Sequence, residues 1–159
     1  MRSLTLDLET GAIGRIRPHA PWTDLADWGR PGNRRPVAHK RVVYPEMGIA
    51  FLLREERVSG ADLHFQAVDA LGMMSAPGEC EGFVPAQLRM VAASGAGMLV
   101  TVATTPDEIR ARLGKAWEDK GAQYLGLAYE RRGWELEFEF DADGVLSSAQ
   151  LSYDKDGAR

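Results

Sequence analysis

Three histidines, one cysteine and several paired carboxylates are the residues able to hold a metal, attack a substrate or move a proton. His19, His39 and His64 fall in different segments. No two of them stand four apart, and there is no His-Glu-x-x-His, so no helix face can present two imidazoles to one metal ion. His64 alternates with Leu63 and Phe65, which aims it away from the apolar side of a strand. It reads as a surface histidine, or as a ligand or base only if a carboxylate lies beside it. Cys80 sits between Glu79 and Glu81, whose charges raise a thiol pKa and oppose a thiolate nucleophile. Ser94-Gly95-Ala96-Gly97 lacks both the Lys-Ser/Thr and the glycine spacing of a phosphate loop, and reads as a turn. Glu55-Glu56, Asp107-Glu108 and Glu118-Asp119 lie in turns or at helix ends, where acids are expected in any case. Asp7 and Glu9 alternate outward from Leu6 and Leu8. The expectation is a protein without catalytic site, metal or cofactor.

Composition is that of an ordinary globular chain: 159 residues, 45% hydrophobic and 26% charged, enough for one domain or two small halves sharing a core. No run approaches the ~20 apolar residues of a membrane span. The start, Met1-Arg2-Ser3-Leu4-Thr5-Leu6-Asp7, meets an acid before an apolar stretch forms and does not read as a signal peptide. A lone cysteine excludes a disulfide framework, so a cytoplasmic setting is expected. Residues 1–75 carry ten Lys+Arg against nine Asp+Glu, and residues 76–159 carry nine against fourteen. An acidic second half disfavours nucleic acid, whose phosphates need cationic surface.

The elements that would position any site centre on Tyr129-Glu130-Arg131-Arg132-Gly133-Trp134-Glu135-Leu136-Glu137-Phe138-Glu139-Phe140. It has a weaker twin in Tyr44-Pro45-Glu46-Met47-Gly48-Ile49-Ala50-Phe51-Leu52-Leu53. Each reads Tyr, three residues, Gly, then apolar residues at every second place. Gly29 and Gly114, Tyr44 and Tyr129, and Gly48 and Gly133 are all 85 apart. Leu4 and Leu6 match Leu88 and Met90 at 84, and Ala61 to Phe65 match Ala149 to Tyr153 at 88. Ordered self-similarity of this kind indicates a duplicated unit. The first repeat is expected over 1–71, a Gly- and Pro-containing linker over 72–81, and the second repeat over 82–159.

Taken in order, residues 3–8 alternate as a half-buried strand, and 13–17 read as a second, short one. Pro21 to Trp28 read as a short helix stopped by Gly29. Residues 30–41 read as a basic loop, in which Arg30, Arg34, Arg35, Lys40 and Arg41 form a patch for an acidic partner or a plain solvated loop. A hairpin over 42–54 follows, then a charged turn at Arg54-Glu55-Glu56-Arg57 and a strand over 58–68. The second repeat has strands at 87–92 and 98–103. Thr105-Pro106-Asp107-Glu108 then opens a helix as a capping box with proline in the first turn. That helix runs to Leu113 and resumes through Ala116-Trp117-Glu118. Strands at 123–130, 134–141 and 145–154 close the chain, the last two joined at Asp143-Gly144. The fold class expected is α+β: two tandem repeats, each with a short helix or two packed on one face of an antiparallel sheet.

Strand alternation assigns the faces. Trp134, Leu136, Phe138 and Phe140 point to the core, and Glu135, Glu137 and Glu139 point away. In the twin, Ile49, Phe51 and Leu53 point inward, and Ala50, Leu52 and Arg54 outward. The outer sheet face is therefore expected to run from partly apolar to acidic, as a docking surface or with Leu52 under a loop. Trp117, among Lys and Glu residues, is a candidate exposed anchor.

Thr105-Pro106-Asp107-Glu108-Ile109 with Leu113-Gly114, Tyr129, Gly133 and Phe138 to Gly144 resemble the repeat of β-lactamase-inhibitor-protein-like folds and of SmpA/OmlA-type outer-membrane lipoprotein domains. Leu25, Trp28-Gly29, Tyr44 and Gly48 repeat the pattern. Small bacterial immunity proteins that neutralise toxins are also similar. The resemblance implies a protein bound across the sheet and no catalysis. The chain departs from it in having no disulfides, secretion signal or lipidated cysteine. The expected function is a bacterial protein-binding module, immunity- or inhibitor-like, with a basic protein as partner. The alternatives are a small-ligand binder or hydrolase with a pocket between the repeats near His64, and a scaffold that self-associates as a homodimer.

Overall fold

The structure, a computed structural model, describes residues 3–66 and 84–155. The linker at 72–81, Cys80 and the end of the strand expected over 58–68 lie outside the described residues. The described chain is mostly β-sheet with few helices, an α+β arrangement.

The first strand, β1 (Leu4–Asp7), buries Leu4 and Leu6 and exposes Thr5. The strand expected over 13–17 does not form. Gly14 has φ 59°, and the segment folds back on itself through an Ile13–Ile16 bridge while Ile13 also bridges Leu6. Trp22–Trp28 is a 3-10 helix. Trp22, Leu25 and Trp28 stand three apart, and three residues per turn places them in one line against the core. Residues 30–41 are less irregular than expected: Pro36–His39 form a one-turn helix, α1, and Arg41 belongs to strand β2 (Arg41–Tyr44).

Strands β3 (Ile49–Arg54) and β4 (Arg57–His64) complete the first half. The second half contributes β5 (Leu88–Val91), β6 (Gly97–Val100), α2 (Pro106–Leu113), β7 (Trp117–Lys120), β8 (Tyr124–Arg131), β9 (Trp134–Asp141) and β10 (Leu146–Tyr153). The capping box of α2 forms as expected. Thr105 Oγ1 accepts from the Glu108 N–H at 3.2 Å, and the Glu108 carboxylate accepts from the Thr105 N–H at 3.2 Å. The helix does not resume after Gly114. Trp117 and Glu118 are extended in β7, because pairing with β8 satisfies a backbone that a second helical turn would leave half-bonded.

Seven strands form one sheet in the order β2-β3-β4-β10-β9-β8-β7, with every neighbouring pair antiparallel. The halves meet at β4 and β10, where Asp62 lies opposite Gln150. A second sheet has the order β1-β5-β6. There the expectation of purely antiparallel pairing is corrected: β1 and β5 run parallel, Leu4 beside Leu88 and Leu6 beside Met90. Parallel neighbours need a long crossover, and here most of the first half is that crossover.

One core joins both halves. Ile49, Phe51 and Leu63 from the first half and Leu127, Trp134, Leu136, Phe138 and Leu151 from the second share it with Leu6, Leu25, Met90 and Ile109. The inward row of β9 is buried at every position, from Trp134 at 2% to Phe140 at 0% exposure. No helix among the described residues is long and apolar enough to cross a membrane.

Candidate functional site

The outward face of the large sheet is built from rows of side chains that cross it strand by strand. Laterally paired residues point the same way, so the registers fix who stands beside whom. The central row reads Val43, Ala50, Asp62, Gln150, Glu137, Ala128, Trp117 across all seven strands. On one side of it run Arg41, Leu52, Gly60, Ser152, Glu135 and Glu130. On the other run His64, Ser148, Glu139, Gly126 and Asp119. The acidic row expected from β9 and the anchor expected at Trp117 thus share one face.

They also share one hollow. Trp117 and Asp119 on β7 stand on one side of β8, and Glu135 and Glu137 on β9 stand on the other. Between them the floor is only Gly126 and Ala128, and the missing side-chain bulk leaves an open trough of about 580 Å³. Lys115, Glu130 and Arg131 edge it. Trp117 is 80% exposed, the most open large apolar side chain among the described residues. Asp119 accepts a 2.8 Å hydrogen bond from the Tyr124 hydroxyl, which fixes the carboxylate at the rim. Partial burial, followed by the charges of Glu135, Glu139 and Asp119, pushes the Glu137 carboxyl above its ordinary pKa. A positive group brought near would relieve that repulsion.

The other end of the face is closed. The Arg41 guanidinium meets Asp62 at 3.1 Å, spanning β3 from β2 to β4. Beneath that arch Ala50 has 0% exposure and Leu52 is half-buried. Of the six residues expected to form a docking face, then, Ala50 offers no surface and Leu52 little, while Arg54 is exposed at the end of β3. The row of Glu135, Glu137 and Glu139 remains. Alternation alone could not reveal the arch, because it depends on two residues 21 apart meeting across a third strand.

Arg30, Arg34, Arg35 and Lys40 are exposed beside β2, at the sheet end opposite the acidic trough. Their segment is pinned by Asn33, which the sequence reading missed. Asn33 is 5% exposed. Its amide donates to the Arg41 carbonyl at 2.8 Å and accepts from the Val43 N–H at 3.1 Å, while the Gly32 N–H reaches the Val43 carbonyl at 2.7 Å. A Gly-Asn pair between prolines was the available signal.

His64 lies at the seam in a shallow hollow of about 220 Å³, with Asp62, Glu137, Glu139, Ser148 and Gln150 around it. Burial lowers its pKa, against the upward pull of Asp62. The hollow is below the ~300 Å³ at which small-molecule pockets begin. No group of His, Cys, Asp and Glu among the described residues is arranged to hold a metal ion.

Neither a family model nor a curated protein matches the chain. A structural likeness exists. The DUF4309 family protein YjgB of Bacillus subtilis superposes with a TM-score of 0.53 over 89% of this chain and 84% of that one. The two are 14% identical, so the likeness concerns the fold alone.

Proposed function

We propose that the chain is a duplicated unit acting as a non-catalytic protein-binding module, with the acidic half of its outer sheet face taking a basic partner. The observation that carries the binding reading is the trough between Trp117 and the Glu135–Glu137 row. It combines an uncovered aromatic anchor, a floor of small residues and a one-sign wall. Such exposed aromatic groups are enriched at binding hot spots, and an acidic surface steers basic partners toward it.

The duplication is supported by pairings between matched positions. Asp62 and Gln150, 88 apart, face each other at the seam, and Leu4 and Leu88, 84 apart, face each other in the small sheet. The Leu6–Ile13 bridge has its counterpart in the Met90–Met98 pair.

The test compares immobilised wild-type protein with E135K/E137K/E139K, each exposed to the same lysate of the source cell at physiological salt. Basic proteins retained by the first and lost from the second support the reading. Identical captures on both remove the acidic face from it.

A further inference from the structure

The two edges of the large sheet are finished differently. At β2 three outward backbone groups are occupied: Asn33 covers the Arg41 carbonyl and the Val43 N–H, and Gly32 covers the Val43 carbonyl. At β7 no described backbone group hydrogen-bonds the outer side. The orientation of that side follows from the ladder. The Gly121 N–H donates to the Tyr124 carbonyl at 3.0 Å, and this pair continues the register in which Asp119 faces Gly126 and Trp117 faces Ala128. Hydrogen-bonded pairs alternate in an antiparallel ladder. Trp117 and Asp119 therefore bond inward to β8, and Glu118 and Lys120 present their N–H and C=O groups outward.

We propose that this edge takes an added strand, an extended basic segment of the partner. The inference rests on the acidic-face reading and gives it a binding mode. An open edge is a template for strand addition, with main-chain bonds giving affinity and alternate side chains giving selectivity. Charge selects the occupant. Two copies of β7 paired antiparallel about a two-fold axis set the central residue against its own copy, so a register centred on Glu118, Asp119 or Lys120 places like charge opposite like charge, which is unfavourable. A basic strand would set a cation beside Asp119 with the trough behind it, and a guanidinium or an apolar group beside Trp117, whose open ring suits either. On the reverse side Glu118 is already engaged by Arg110, so selectivity lies on the open face.

The experiment titrates a short capped peptide alternating arginine with threonine into wild type, K120P, K120Q and E135K/E137K/E139K. Proline at 120 removes an outward N–H and leaves the β7–β8 bonds in place, as edge strands tolerate. Both changes at Lys120 remove the same positive charge, so attraction for the peptide rises equally. Strand addition predicts that K120Q binds at least as tightly as wild type and that K120P binds about tenfold more weakly than K120Q, the loss of ~1.4 kcal/mol. Equal binding by K120P and K120Q overturns the edge mode; loss in the triple variant alongside that equality leaves the face reading standing. No binding by wild type overturns both. Light scattering on the free protein adds one outcome: a dimer abolished by K120P would assign the edge to a second copy and overturn the proposal.

Discussion

Tyr129 donates its hydroxyl to the carbonyl of Gly114 at 3.0 Å, binding the end of β8 to the stop of α2. Tyr44 makes the corresponding bond to Gly29 at 3.4 Å, shared with Leu25 at 3.2 Å. The two glycines have nearly the same backbone, φ 92° and ψ −167° at Gly29, φ 87° and ψ −158° at Gly114. Burial and Glu46 push the Tyr44 hydroxyl up to about 12, so it stays a donor at all ordinary pH. Replacing Tyr129 or Tyr44 by Phe should each cost roughly 1 kcal/mol, the net worth of one such bond. Urea unfolding monitored by tryptophan fluorescence measures it. A large cost at one position and none at the other would count against equivalent roles.

The Arg54–Arg57 hairpin turns through Glu55 and Glu56 at φ 51° and 60°. Both central residues are left-handed, a two-residue geometry that favours Asn-Gly. Glutamate gains nothing there, and the left-handed conformation costs it roughly 1 kcal/mol per residue. E55N/E56G should therefore stabilise the protein by about 1–2 kcal/mol, read as a higher thermal midpoint. An unchanged or lower midpoint would contradict this account of the turn.

The pH dependence of Glu137 has a definite sign. Its folded-state pKa is raised from 4.5, mainly by burial and then by its acidic neighbours. The folded protein thus holds this proton more firmly than the unfolded chain does. The associated stability is present below the unfolded value and is lost as pH rises through the folded one. E137Q should be more stable than wild type at pH 7, with the advantage shrinking as the solution is acidified through the titration. Thermal scans at a series of pH values decide it.

Asn33 has both polar ends of its amide satisfied by β2 while almost wholly buried. N33A leaves the Arg41 carbonyl and the Val43 N–H without those partners and should cost about 2–3 kcal/mol. It also opens the β2 edge, so concentration-dependent association should accompany the lost stability. Denaturation and light scattering on the same samples test the two effects together.

The parts legible in the sequence are those governed by short spacing. The period of two in Trp134 to Phe140 gives β9 and its faces, and Thr105 to Glu108 gives the start of α2. Placement across the sheet was not legible. Lys115-Ala116-Trp117-Glu118 contains good helix formers, and only pairing with β8 draws the segment into a strand, a tertiary override of propensity. The trough likewise needs Gly126 and Ala128 to fall between Trp117 and Glu137, which depends on strand order. The burial of Ala50 under the Arg41–Asp62 pair depends on β2 and β4 flanking β3.

The β4–β10 seam carries a consequence for biosynthesis. β10 leaves the ribosome roughly eighty residues after β4. Until it arrives, a nascent chain holds β4 as a bare rim with Ala61 and Leu63 uncovered on its inner side. Sheet closure is therefore a late, long-range event, slow for its size and exposed to misassembly. A stalled or shortened chain ending before residue 146 should remain a client of chaperones rather than settle into half of the fold.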